Sequence, residues 1–168
     1  MTEPQIHLFE DDGIIPNHPT LPLLYYRYAV ELNDADNAAV FERLFYNNSW
    51  GDSWRNGVYP FPHYHAEAHE VLGVYSGTGQ LRLGGSNGII TVVQPGDVAI
   101  IPAGVGHENL GSSTDFGVVG AYPSGQAPDV QHGDPKERKW VLDAIAKVPL
   151  PIADPVFGAT GPLLSHWQ

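Results

Sequence analysis

The sequence predicts an all-β barrel or sandwich, with one short helix before it and one helix after it. Three observations predict this. Between Val58 and Tyr122 short apolar or alternating runs recur: Val71–Tyr75, Gln80–Leu83, Ile89–Val93, Val98–Ile101 and Phe116–Tyr122. Turn-forming clusters separate them at Ser76–Gly79, Gly84–Gly88, Gln94–Asp97 and Ala103–Gly106, the punctuation of short antiparallel strands. The 19 glycines and 15 prolines are scattered without repeat, which marks turns rather than disorder.

The flanks complete the layout. Leu23–Val30 (LLYYRYAV) is aromatic and aliphatic and predicts a strand, and the prolines at 16, 19 and 22 suit an extended arm or a sheet edge. Residues 34–46 predict a helix: Asp34 or Asp36 caps it, and Val40, Phe41, Leu44 and Phe45 share one face. Asn47–Gly57, with Trp50 and Trp54, is turn-rich and is expected as an ordered loop. Residues 134–148 predict a second helix, capped by Asp134, with Pro135 in its first turn, Glu137 three residues after the cap, and Val141, Leu142, Ile145 and Val148 buried. The tail 149–168 is expected as an irregular strap. No repeat or linker divides the chain, so one domain over 1–168 is expected: arm and helix 1–56, barrel core 57–123, helix and strap 124–168.

Of 168 residues, 42% are apolar and 16% charged; 19 acidic residues against 8 basic ones give a formal charge of −11. Such a surface repels phosphate backbones and anionic lipid, so nucleic-acid and membrane partners are not expected. The chain has no cysteine, which excludes thiol chemistry and cysteine–zinc sites. It shows neither a basic-then-apolar leader nor a run of spanning length, so a cytoplasmic location is expected.

The chemistry concentrates in His63-Tyr-His65-Ala-Glu-Ala-His69-Glu70. Residues two apart on a strand share a face, so His63 and His65 present two imidazoles to one side. Glu70 can return a carboxylate to the same place after a short bend, and His107 arrives after the Pro102-Ala-Gly104 turn. His69 is the rival fourth ligand. Glu70 fits better because Leu72 and Val74 share its inward parity, leaving His69 facing solvent or backing the site. Three imidazoles and a carboxylate suit one divalent ion: iron is favoured, with manganese, nickel, cobalt or zinc as the other candidates.

These residues resemble the cupin superfamily. Its first motif, G-x5-H-x-H-x(3,4)-E-x6-G, is matched by Gly57, His63, His65, Glu70 and Gly77. Its second, G-x5-P-x-G-x2-H-x3-N, is matched by Gly96, Pro102, Gly104 and His107, with Gly111 standing at the final Asn position. The six residues between Glu70 and Gly77 again favour Glu70 over His69. Runs such as HEVLGVYSG and DFGVVGAYPSGQ are similar to the YjlB-like branch of single-domain cupins. The resemblance implies a double-stranded β-helix (a jelly-roll barrel) with a metal held by His63, His65, Glu70 and His107. It implies a homodimer, with Leu23–Val30 as the strand to be exchanged. It implies no particular reaction, since cupins with this ligand set include dioxygenases, isomerases, decarboxylases and oxalate-cleaving enzymes, and others bind or sense small molecules.

The expected activity is a metal-dependent enzyme, by dioxygenase-type chemistry, on a small uncharged or weakly acidic molecule. A non-catalytic binding or sensing cupin and a metal-dependent isomerase are the alternatives. Glu70 is the candidate proton acceptor. Arg55 and Arg82 are candidates to bind a substrate carboxylate. Trp50, Trp54, Tyr59 and Phe61 are expected to plug the barrel end, with the lining of an apolar pocket at the metal as the alternative. Tyr64 is expected to point away from the ligands, and Tyr122 to serve in strand packing.

Overall fold

A computed structural model describes residues 2–168. Among them lie nine strands and three helices: β1 Gln5–His7, β2 Leu23–Tyr26, α1 Asn37–Asn47, β3 Trp50–Asn56, β4 Glu70–Ser76, β5 Gly79–Leu83, β6 Ile89–Val93, β7 Val98–Ile101, β8 His107–Ser112, β9 Gly117–Pro123, α2 Arg138–Lys147 and α3 Leu163–His166. A six-stranded sheet runs β1-β2-β7-β4-β9-β3, and a three-stranded sheet runs β6-β5-β8. All strand pairs are antiparallel. No helix among the described residues is long and apolar enough to cross a membrane.

Alternation along the strands sorts side chains between two cores. Leu72, Val74, Leu81, Leu83, Ile101 and Val118 meet between the sheets. Val71, Val98, Ile100, Val119 and Ala121 face the other way, under α1 and the C-terminal segment, with Phe41, Phe45, Leu163 and Trp167. Helix α1 lies close to the sheet because position 73 is glycine: a Cβ there would sit 2.4 Å from the Phe41 ring. Asp36 caps α1, accepting the Ala39 N–H at 3.3 Å. The tail is tied down by Tyr26, whose hydroxyl donates to Asp154 at 2.6 Å.

Several expectations are corrected. The Asn47–Gly57 segment is not a loop: Trp50–Asn56 is an edge strand of the larger sheet. A bulge hides its alternation, since the register runs Gly51↔Tyr122 and then Trp54↔Gly120, three steps on β3 against two on β9. The strand predicted over Leu23–Val30 stops at Tyr26, and Tyr28 turns the chain with φ 51°. That strand is paired on both edges within its own chain, by β1 and β7. Strand β8 is a strand that alternation missed. The second helix starts at Arg138, because Asp134 closes a turn on the Lys136 N–H instead of capping a helix. Leu142 on that helix is 41% exposed rather than buried. The strap ends in the short helix α3, followed by the buried Trp167.

Candidate metal centre

The three histidines come together through one bridge. His63 and His107 pair across antiparallel backbones, with His63 N–H to His107 O at 3.2 Å and His107 N–H to His63 O at 2.9 Å. Their rings therefore stand opposite each other, centroids 4.1 Å apart. His65 follows two residues on, on the same face, with centroids 5.8 Å and 5.4 Å from the other two rings. The Gly104 N–H donates to His65 O at 2.7 Å and keeps the two segments in step. One nitrogen from each ring lies within 4.8 Å of the others, and all three residues are buried.

Each ring offers its Nδ1 to a backbone carbonyl: His63 to Phe61 O at 3.1 Å, His107 to Val105 O at 3.1 Å, and His65 to Asp129 O. A carbonyl only accepts, so Nδ1 carries the proton and Nε2 keeps its lone pair. This is the tautomer a metal ligand requires, set by the hydrogen bond the other nitrogen makes.

Glu70, the first residue of β4, is almost wholly buried. Its two oxygens lie 3.3 Å from His65 Nε2 and 3.4 Å from His107 Nε2. A carboxylate facing two nitrogen lone pairs needs a cation between them. Without an ion, a proton on His65 answers part of that need. Burial disfavours a charged His65, but Glu70 outweighs it and lifts His65 to about 8. Burial likewise opposes the Glu70 anion, yet His65 and His107 hold it well below the usual carboxylate range. Burial, with the neighbouring His107, pulls His63 down to about 3. The buried His63, His65 and His107 are a possible site for a metal ion, and their donor set fits one.

His69 is not at this site. It is buried, not solvent-facing, on the opposite face of the chain. Its Nδ1 accepts the Ala103 N–H at 2.9 Å, and its ring lies 4.8 Å from that of Trp167. Consecutive residues entering a strand point to opposite faces, and here the C-terminal segment covers the second face.

The cluster lies in a cavity of about 560 Å³, walled by Trp54, Val58, Tyr59, Leu72, Tyr122 and Pro128, a volume in the range of small-molecule sites. Tyr59 is 51% exposed and stacks on Phe61 at 4.9 Å, edge-on to His63 at 5.1 Å. Tyr59 thus stands at the cavity mouth instead of plugging the barrel, while Trp50 is buried in the outer core. Tyr64 does point away, into a cluster with Ile15, Val141 and Ile145. Arg55 borders the cavity, but its guanidinium holds Asp36 at 3.1 Å and also Glu42. Arg82 donates to Glu108 at 2.9 Å and does not line the cavity.

Two contributors were not expected from the sequence. Tyr122 lies on the cavity face; alternation from Val118 through Gly120, opposite Leu72, would have put it there. Asp129 accepts the N–H groups of Ala66 and Glu67 at 2.9 Å each and so pins its own loop to the ligand-bearing segment. No sequence signal marked it.

The barrel of two antiparallel sheets, closed over a histidine cluster at one end, defines the class. Residues 46–146 match the cupin family model, and the chain belongs to the cupin family. Over 165 residues it is 41% identical to the Bacillus subtilis (strain 168) "Uncharacterized protein YjlB", covering 98% of this chain and 97% of that one. Among solved structures, acireductone dioxygenase from Bacillus anthracis, with cadmium in its active centre, is similar at 15% identity and TM-score 0.45, covering 77% of this chain and 99% of that one. An 11S globulin from Wrightia tinctoria is similar at 20% identity and TM-score 0.40 over 48% of this chain, which spans only 22% of the globulin.

Proposed function

We propose that this cupin is a metal-dependent enzyme in which His63, His65, His107 and Glu70 hold one divalent ion, iron in preference to manganese, nickel, cobalt or zinc. Its substrate is a small uncharged or weakly acidic organic molecule, and its chemistry is of the dioxygenase type. One observation carries the reading: all three Nδ1 atoms are spent on backbone carbonyls, leaving three Nε2 lone pairs and a buried carboxylate facing one another.

When bound, the ion supplies Lewis-acid and, as iron, redox chemistry. The chain supplies the rest. The backbone carbonyls fix the imidazole orientations, and Glu70 balances charge and offers a carboxylate oxygen as proton acceptor. The apolar walls exclude water, which strengthens each polar contact within. Arg55 and Arg82 are already held by carboxylates of this chain, which supports a substrate without a strong anionic group.

The test is elemental analysis of the purified protein, followed by oxygen-uptake assays with phenols, diketones and hydroxy acids. One ion per chain with substrate-dependent uptake is expected. Full occupancy with product but no uptake would turn the reading to an isomerase, and occupancy with binding alone to a sensing module. Absence of any metal affinity would overturn it.

A further inference from the structure

Trp54 reaches the cavity only through an irregularity in its strand. Without the bulge it would oppose Val119 and face the outer core; with it, Trp54 opposes Gly120 and shares the cavity face. Asp52 within the bulge takes φ 52°, left-handed for a non-glycine residue, a conformation that costs energy unless the surroundings impose it. Gly120 leaves the space: a Cβ there would sit 2.2 Å from the indole. A bulge, a left-handed aspartate and a bare glycine thus combine to lay one indole in the cavity wall.

The indole N–H then meets Tyr122, donating to its hydroxyl oxygen at 2.7 Å. Indole nitrogen is donor only, so the phenol accepts there and its own proton must go elsewhere. Glu70 is the carboxylate that lines the same cavity. The indole thus leaves the Tyr122 proton to a group inside the cavity, whether Glu70 or whatever fills the space. No arginine or lysine among the described residues offers a free head group to the cavity.

We propose that Trp54 and Tyr122 anchor the cavity's occupant: the indole forms a flat wall, and Tyr122 donates its O–H to a carbonyl or phenol-type oxygen of a neutral, flat molecule. The inference rests on reading this cavity as a ligand site, and it does not require the ion.

Two probes of one shape test it, acetophenone and 2-phenylpropene, which differ by C=O against C=CH2. Dissociation constants are measured by ligand-observed NMR on zinc-loaded protein and again on metal-free protein, with zinc content determined separately. Wild type should prefer acetophenone roughly three- to tenfold, the worth of one neutral hydrogen bond. Tyr122→Phe should erase that preference by weakening acetophenone alone, with 2-phenylpropene reporting that the cavity is intact. Trp54→Phe, which keeps a ring but loses the N–H, should weaken acetophenone by less. The same Tyr122 dependence in metal-free protein, or in protein that takes up no zinc, sustains the inference while the metal reading stands or falls alone. A preference that survives Tyr122→Phe, an equal loss for both probes, or no binding of either probe would overturn it.

Discussion

Two histidine clusters lie back to back where β4 begins, and they have opposite chemistry. On the cavity side, His63, His65 and His107 each present Nδ1 to a carbonyl. On the far side, Nδ1 of His69 accepts the Ala103 N–H, and Nδ1 of His18 accepts those of Thr20 at 3.2 Å and Leu21 at 3.0 Å. There the proton is forced onto Nε2, so neither ring has a lone pair left for a metal. His69 Nε2 is buried without a hydrogen-bond partner. Burial is similar in the two clusters; the backbone group that each Nδ1 meets separates ligand from staple.

The comparison breaks most decisively at metal affinity. His107→Ala should weaken the ion's binding by more than about 100-fold, beyond what loss of a supporting hydrogen bond causes. His69→Gln, one residue from Glu70, should leave affinity unchanged in folded protein. Competition against a chelating dye measures both. Equal losses would mean that the two clusters form one site and that the tautomer argument fails.

Acid sharpens the difference on the stapling side. Burial pulls His18 down to about 4, and burial, with His18 beside it, pulls His69 down to about 3. A histidine whose folded pKa lies below its ordinary value binds fewer protons folded than unfolded. Its stabilisation is complete above pH 6.5 and is lost as pH falls toward 4. For His18 alone the loss from pH 7 to pH 5 is about 2 kcal/mol. His18→Asn keeps an oxygen for the Thr20 and Leu21 N–H groups and does not titrate, so its urea midpoint should fall less over that interval. Both are measured with chelator present, which removes any contribution from metal release. A variant as acid-sensitive as wild type would assign the lability elsewhere.

The ligands were legible because an extended segment and a turn display them at fixed spacings: His63 and His65 two apart, His107 after Pro102-Ala-Gly104. Strands β4 to β7 and β9 were legible for the same reason, being regular runs between turn formers. What stayed hidden depended on contacts across the chain. β3 broke its own alternation at the bulge, and β8, HENLGS, carries Leu110 as its one large apolar residue and so shows no alternation. The sequence leaves His69 between facing solvent and backing the site, because nothing near it announces that Trp167 closes over it. Tyr122 was readable by parity, but the bulge that brings Trp54 to it was not.

Asp129 is the least legible of the site's supports and gives the smallest expected effect. It holds the ligand segment twice: its carbonyl fixes His65 Nδ1, and its Oδ1 takes two N–H groups just beyond, at Ala66 and Glu67. Asp129→Ala keeps the carbonyl but frees the loop that aims it. The His65 ring should lose its fixed orientation and the ion's affinity should fall about tenfold, at the lower end for a group that orients a ligand. Asp129→Asn retains an acceptor oxygen for the same two N–H groups and should recover most of the loss. If alanine and asparagine are equally weak, the carboxylate charge matters rather than its geometry. If neither changes affinity, the carboxylate is not needed to aim the carbonyl, and the backbone of the loop alone holds the contact that sets the His65 tautomer.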